Sequence, residues 1–532
     1  MQQKIQLRLQ PNEAGNENIV REFIADTLGK SYNQISGYNI LKKSIDARGR
    51  QIFINLTVNA FIDEPYQQRE IHQLFLQDVS HSLHSVIIIG AGPAGLFAAL
   101  SLIEKGIKPI ILERGKDVKS RRRDLAVLNK EGIVNPESNY CFGEGGAGTY
   151  SDGKLFTRSS KRGNIDKALN TFVQFGAEEK ILYDAHPHIG TNKLPQIITN
   201  MRKAIIDSGG EFLFGKKVID FVIKENKITS VSTADGNSFS ADSVILATGH
   251  SARDIFELFF NKNILIEAKP FALGVRVEHP QEIINQIQYH CSTEELEKKA
   301  LPPASYSLVE QVDGKGVFSF CMCPGGIIAP AATNSGELVV NGWSPSKRNN
   351  PYANSGMVVQ VEEKDAINYF NKIKNKNSYV KNNALLLMRF QQEIEKKCFA
   401  AGGGGFVAPA QRLADFTNGK ISSSLPQCSY IPGLASVDMQ NVLPGFVAER
   451  LKEAFKQFGK KMKGYYTNEA VIVATESRTS SPVRIPRDGE TLLHPQIKNL
   501  YPCGEGAGYA GGIISAAMDG TKIAENIAAK FY

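Results

Sequence analysis

The chain has 532 residues, 42% of them hydrophobic and 22% charged, with 62 Lys and Arg against 54 Asp and Glu for a formal net charge of +8; this is the balance of an ordinary soluble globular protein with room for about three domains. No apolar stretch approaches the roughly 20 residues that cross a bilayer, and the start, Met1 to Gln6, lacks a charged region followed by an apolar core, so no membrane span and a cytoplasmic location are expected. Seven cysteines, odd in number and scattered from Cys141 to Cys503 without a CxxC, argue against a disulfide scaffold or a structural zinc site, and no metal site is expected.

Residues 1 to about 82 read as a separate unit. Ile5–Leu9 alternates like a strand, Glu17–Leu28 has helical apolar spacing, and strand-like runs at Tyr38–Ile45 and Gln51–Ala60 flank an Asp46-Ala47-Arg48-Gly49 turn. The expected unit is a small β-α-β-β domain, ferredoxin-like in shape without iron ligands. It would cover a face of the catalytic body, form a dimer contact, or capture a substrate or partner.

A buried-strand run, Val86–Ile89, then leads into G-x-G-x-x-G at Gly90, Gly92 and Gly95 and an apolar helix, Leu96–Ile103. Gly90 permits the tight turn, Gly92 lets backbone approach a pyrophosphate, and Gly95 lets helix and strand pack closely, while the helix N-terminus offers free N–H groups to the anion. A second strand, Pro109–Leu112, delivers Glu113 at the spacing expected for an acid that accepts ribose hydroxyls. The motif reads as dinucleotide binding but does not separate NAD from FAD. The basic cluster Lys116, Lys119, Arg121, Arg122 and Arg123 reads as a solvated helix face or as a screen for the cofactor's phosphates or adenosine edge. Nucleic-acid binding is the poorer reading, because no aromatic residues interleave with these charges.

Two further segments bear on the cofactor. A hairpin-like stretch around Asp235-Gly236 precedes a strand that ends at Ala247-Thr248-Gly249, and Leu500–Gly512 reads as a strand leading to Gly504-Glu505-Gly506 and a helix from about Ile513. The first resembles the Ala-Thr-Gly strand of two-part FAD oxidoreductases, and the second resembles the flavin-side motif of the same superfamily. By that resemblance Glu505 contacts the ribityl or pyrophosphate region, and the helix dipole steadies negative charge on the reduced ring. Hydroxylase-like members usually carry Asp where Glu505 stands; Glu is more familiar in the fumarate-reductase-like branch, which weighs against a monooxygenase. Phe142–Leu155, Cys321–Gly326 and Glu476–Arg484 resemble a family of bacterial FAD-dependent dehydrogenases, and the resemblance covers nearly the whole chain. It implies FAD as cofactor and an α/β fold: a Rossmann-type FAD-binding domain of the glutathione-reductase-like kind, an inserted α+β cap, and the small N-terminal domain. The implied cofactor site comprises Gly90, Gly92, Pro93, Ala94, Gly95, Glu113, Arg114, Gly145, Gly146, Thr248, Gly249, Gly325, Gly504, Glu505 and Gly506.

The FAD domain is expected over 83–250 and 470–532, with 251–469 inserted. Strand-like runs in the insert (Ala272–Val277, Ser305–Val309, Gly316–Phe320, Glu337–Gly342) alternate with helices (Val358–Lys372, Leu385–Phe399, Pro444–Phe458). No second G-x-G-x-x-G occurs, and Gly402–Gly405 lacks a preceding buried strand, so a built-in NAD(P) domain is not expected. Gly143–Gly148 and Pro324-Gly325-Gly326 are expected to approach the flavin, since close contact with a planar ring requires bare backbone. Lys154 and Arg158 could stabilise an anionic reduced flavin or grip an acidic substrate. Cys321 and Cys323 alternate on a strand and read as buried thiols rather than a redox pair; Cys503 reads as packing. Arg478 and Arg484 are equally suited to structural ion pairs and to anion capture. His186, His188 and His250 read as surface or satisfied core histidines rather than proton carriers.

No catalytic residue is assigned. The reading is an FAD-dependent oxidoreductase passing hydride or electrons between the flavin and an organic small-molecule substrate, with an external electron donor or acceptor. The alternatives are a flavin-dependent RNA-modifying enzyme and a non-catalytic flavin-binding redox sensor or assembly factor.

Overall fold

The computed structural model describes residues 1–157, 163–374 and 383–531, so Arg158 lies outside the described residues. The chain opens with β1 (Gln2–Leu9), whose Ile5, Leu7 and Leu9 are buried in strict alternation, as a one-sided sheet requires. Helix α1 (Glu17–Leu28) is capped by the Asn16 side chain and closed by left-handed Gly29. Strands β2 (Ile35–Asp46) and β3 (Phe53–Ile62) complete an antiparallel sheet in the order β1-β3-β2. This is the expected β-α-β-β arrangement, without the second βα unit that a ferredoxin-like fold would add.

The central body starts at β4 (Ser85–Ile89), followed by α2 (Pro93–Glu104), β5 (Lys108–Leu112), α3 (Val118–Glu131), β6 (Glu211–Leu213) and β7 (Ser243–Leu246). The alternating side chains of β4 face two different cores. Val86 and Ile88 pack with α2 on one face, and Ile87 and Ile89 pack on the other against Val218, Phe221 and Val231 of the strand meander. A parallel strand covered on both faces must be apolar along its length, which is why the sequence shows an unbroken run here.

The insert builds a seven-stranded sheet from β8 (Phe271–Pro280), β9 (Val309–Val312), β10 (Lys315–Cys323), β11 (Tyr352–Val361), β12 (Ala408–Arg412), β13 (Leu434–Ser436) and β14 (Val471–Glu476), in the order β9-β10-β11-β8-β14-β12-β13. Helix α4 (Leu386–Ala401) packs beside it. The chain then returns through β15 (Leu500–Pro502), completing a five-stranded parallel sheet β15-β7-β4-β5-β6, and ends in α5 (Ile513–Phe531), packed on α2.

Five expectations for the insert differ from the structure. Residue 470 is not the return point, because β14 pairs with β8 and β12 inside the second sheet. Val358–Val361 is strand rather than helix, since the β-branched run pairs with β8 and β10, and the helix begins at Glu363. Strand pairing in the 305–309 run begins only at Val309, and the 337–342 run pairs as Val340–Trp343. Finally, β10 has a register shift between Phe320 and Cys323, and Cys321 sits at φ 45°. Simple alternation therefore does not describe the two thiols.

One buried ionic cluster straddles the two crossings between sheets. Arg253 follows the first crossing and Arg478 precedes the second, and both guanidinium groups bond Glu395 of α4, at 2.8 Å and 3.2 Å. Arg253 also meets Glu337 at 3.1 Å. The two guanidinium groups hold the Glu395 carboxyl well below its ordinary range against the opposing effect of burial. Among the described residues no helix is long and apolar enough to cross a membrane, no His/Cys/Asp/Glu group could hold a metal ion, and all seven cysteines are free.

His279, near the end of β8, is fully buried with one ring nitrogen against the Tyr465 carbonyl at 2.8 Å. Burial pushes its pKa down from 6.5 to about 4, favouring the neutral ring. The unfolded chain therefore binds this proton first. The resulting stability is complete above pH 6.5 and is lost as pH falls through about 4, a loss on the order of 3 kcal/mol. Denaturant midpoints between pH 7 and 4 should fall along that window, and His279→Gln should flatten the slope.

Candidate functional site

The C-terminal ends of β4 and β7 and one face of the second sheet line a cavity of about 820 Å³, within the size range of cofactor and small-molecule sites. Its floor is made where two helices begin. At α2 the cap position is Gly92, which supplies no side chain to the free N–H groups, with Pro93 at the first helical position. The start of α5 reaches the same cavity through Gly511, Gly512 and Ile513. Two positive helix ends thus converge on one space.

The glycines of the motif divide by what their missing side chain does. A Cβ on Gly95 would lie 2.0 Å from the Gly90 carbonyl oxygen, and one on Gly520 of α5 would lie 2.0 Å from that of Ala94. These positions serve close packing of strand, turn and helix. Gly92 has its first neighbour at 3.9 Å, while Gly249, Gly511 and Gly512 have nothing within 4 Å, so these residues present bare backbone to the cavity. Gly90 adopts φ 105°, a conformation closed to residues with a side chain.

Glu113 is buried at the end of β5, and its carboxylate accepts three backbone N–H bonds: from Ala91 at 2.9 Å, Gly115 at 2.8 Å and Gly143 at 3.0 Å. It lines the cavity and also ties the first glycine turn to the 143–148 loop. Arg114 beside it is held by Glu137 at 2.7 Å and Asp254 at 3.0 Å and lies over the Phe142 ring. The Gly504 N–H donates to Asp519 of α5 at 2.8 Å, and Asp519 also binds Arg487 at 2.6 Å. His250 Nδ1 stands 3.4 Å from Glu505 Oε1.

Of the cofactor residues expected from sequence, Gly90, Gly92, Pro93, Ala94, Glu113, Arg114, Gly146, Thr248, Gly249, Gly504 and Glu505 come together around this cavity. Four do not line it. Gly95 packs helix on strand; Gly145 abuts Thr149 and Ile198; Gly506 lets its turn approach the Gly249 backbone. Gly325 differs most from expectation. Its missing Cβ faces the Arg348 backbone, 1.6 Å from the carbonyl oxygen, so it seats another loop rather than facing the cavity itself.

The basic cluster also divides. Lys116, Lys119, Arg122 and Arg123 are exposed, but Arg121 is fully buried and donates to the carbonyls of Asn139, Tyr140 and Glu144. Arg478 is consumed by the ionic cluster, and Cys503 is buried. His188 is held neutral, pushed down to about 4 by burial and by nearby Arg348.

Sequence reasoning missed several groups at the far end of the cavity. Asp152 receives Arg348 at 2.9 Å and Lys154 at 3.4 Å, and Lys154 Nζ lies 3.6 Å from the Cys323 thiol. Cys321 lines the cavity and is exposed, so the expectation of two buried thiols holds for Cys323 alone. Glu476, at the end of β14, pairs with Arg276 at 2.9 Å; burial raises its carboxyl above the ordinary range despite that guanidinium. Asp152 and Glu476 sit in the quoted motifs, whereas Arg348 and Arg276 carry no local signal.

The arrangement fits FAD. The cradle of bare glycines, two uncapped helix ends and an acid at the end of β5 suit the pyrophosphate and ribose. The cavity then continues past Gly146, Ala147 and Gly504 to a polar end under the second sheet. Gly95→Ala should lower stability by about 1–3 kcal/mol, the usual cost of overpacking, whereas Gly92→Ala should fold normally and retain less FAD. Denaturant titration and the flavin-to-protein ratio separate the two. Glu113→Ala should destabilise even FAD-free protein by about 1–3 kcal/mol or more, because three buried N–H groups lose their acceptor.

Three protein-family models match. Residues 270–479 fit the model described as FAD-dependent protein, C-terminal domain-like; residues 84–258 fit pyridine nucleotide-disulphide oxidoreductase; residues 1–61 fit a domain of unknown function. A Clostridium beijerinckii protein described only as uncharacterized is 38% identical over 97% of this chain and 96% of its own length. The thiamine thiazole synthase of Methanococcus vannielii is 29% identical over 34% of this chain and 62% of the synthase. Among solved structures, CtdE in complex with FAD has a TM-score of 0.32 at 11% identity, covering 84% of each chain. Glycine oxidase from Bacillus cereus has a TM-score of 0.30 at 14% identity, covering 84% of this chain and 95% of the oxidase. Neither likeness is close enough to bear on the chemistry.

Proposed function

The chain belongs to the family of FAD-dependent proteins whose C-terminal-domain model matches residues 270–479, and from this premise we propose that it is an oxidoreductase acting on an organic small molecule held between the flavin site and the second sheet. The observation that carries the reading is the continuous cavity. Its walls come from both sheets, and it extends from Glu113 at one end to Lys154, Trp343 and Arg348 at the other.

Bound there, FAD supplies two-electron redox chemistry. The chain's own part is positioning and proton handling. The N–H groups at the starts of α2 and α5 would hold the cofactor's negative charge, and Glu113, which braces the 143–148 loop, would orient the ribose. Tyr306, Phe320 and Trp343 give the far end an aromatic lining. Glu476, with its carboxyl pushed up to about 7, is the group suited to give or take a proton near neutral pH. Electrons come from or go to an external partner.

Protein purified without added flavin should show a two-band flavin spectrum and release FAD on denaturation. NADH and NADPH should bleach it slowly, and dithionite fully. Rapid saturable bleaching by either nucleotide would overturn the external-partner part of the reading. Glu476→Gln should lower turnover by about 10²–10⁴-fold, the usual contribution of a positioned acid or base, once anaerobically reduced protein has been screened against metabolite extracts for a reoxidant.

A further inference from the structure

At the far end of the cavity, positive charge exceeds negative. Lys154 and Arg348 share the single carboxylate of Asp152, at 3.4 Å and 2.9 Å. Asp152 is buried, and the two cations outweigh that burial and keep its carboxyl below the ordinary range. Burial opposes the charge on Lys154, but Cys323 and Asp152 outweigh it and hold the ammonium above its usual pKa. Two positive charges therefore face the carboxylate of Asp152, with the Cys323 sulfur 3.6 Å from the ammonium. Nearby His188 is neutral, Glu476 contacts Arg276 rather than this trio, and Glu395 and Glu337 are engaged by Arg253 and Arg478. The one carboxylate in ion-pair contact with Lys154 and Arg348 among the described residues is that of Asp152. An unmatched cation in a low-dielectric cavity is costly, and buried charges are ordinarily paired.

The loop that carries Arg348 is clamped into this position. A Cβ on Gly190 would lie 2.3 Å from the Ser346 nitrogen, one on Gly325 would lie 1.6 Å from the Arg348 carbonyl oxygen, and one on Gly326 would lie 2.6 Å from that of Trp343. Three glycines from two different segments thus admit the 343–348 backbone and fix its guanidinium beside Asp152. Lys154 and Arg348 both line the cavity, and a fixed guanidinium beside an ammonium forms a two-pronged donor set for a planar anion.

We propose that this end of the cavity is a carboxylate subsite, in which Lys154 and Arg348 together bind the carboxylate of the organic substrate. The proposal deepens the oxidoreductase reading and rests on it. A single missing negative charge matches a monoanionic carboxylate better than a phosphate dianion, and the aromatic wall suits an apolar remainder.

The test is titration of the FAD-loaded protein with acetate, succinate, benzoate and inorganic phosphate, with benzamide as the neutral counterpart of benzoate, reading the flavin absorbance spectrum. At least one carboxylate should produce a saturable shift, and benzamide should not. Lys154→Met and Arg348→Met should each weaken that binding by about tenfold or more, the consequence of losing one charge-assisted hydrogen bond, with FAD content unchanged. Lys154→Arg and Cys323→Ser should stay within a few-fold of the parent. Absence of a shift with every carboxylate, equal binding of benzoate and benzamide, or undiminished binding by both Met variants would overturn the proposal; binding of phosphate alone would assign the site to a phosphoryl group instead. If the Met variants fail to fold, the carboxylate-to-carboxamide preference of the parent protein still decides. Protein that holds no FAD refutes the cofactor reading, whereas protein that holds FAD but binds no carboxylate refutes this inference alone.

Discussion

The buried carboxylate of Glu395 fixes how the two sheets face one another. It sits on α4 and grips Arg253 just after the chain leaves the parallel sheet and Arg478 just before it returns. Both crossings are therefore anchored to one fully buried point, with Ser477 and Gln391 satisfying the surrounding polar atoms. Such a cluster need not add net stability, because desolvation of the ions offsets most of their attraction. What it adds is position. Removing one partner leaves a buried guanidinium unmatched, typically at a cost of about 3–5 kcal/mol, so alternative placements of the second sheet are strongly disfavoured.

With the sheets held in this way, close backbone approach shapes the cavity between them. The tight passes at Gly95, Gly506 and Gly520 bring β4, α2, α5 and the Ala-Thr-Gly turn into one compact floor. Glycines that face open space do the opposite task, leaving room where side chains would intrude. The same residue type thus both closes the scaffold and opens the site, and only the direction of the absent Cβ tells the two apart.

The polar far end follows the same logic. Asp152 comes from the loop after Gly148, Arg348 from the loop before β11, and Glu476 from the last strand of the second sheet. The register of β8, β11 and β14 places Arg276 between Glu476 and Asn354, and Arg348 meets Asp152 from a separate loop. A cavity with a charged end therefore emerges only where both sheets meet.

The sequence by itself determined the nucleotide half of the protein. Val86–Ile89, the three glycines and Glu113 form a contiguous strand-turn-helix-strand unit whose geometry is local, so residue type and spacing were enough to read it. The separate Ala-Thr-Gly and Gly-Glu-Gly turns were legible by resemblance for the same reason, each being a short strand end. Tertiary structure alone decided the rest. Val358–Val361 became strand because pairing partners on both sides overrode a helical reading, and Gly325 proved to seat Arg348 because the clash it avoids is with a residue 23 positions away in the chain. The charge imbalance at Asp152, Lys154 and Arg348 had no sequence signature, since a buried charge is unmatched only relative to every group that folding brings near it.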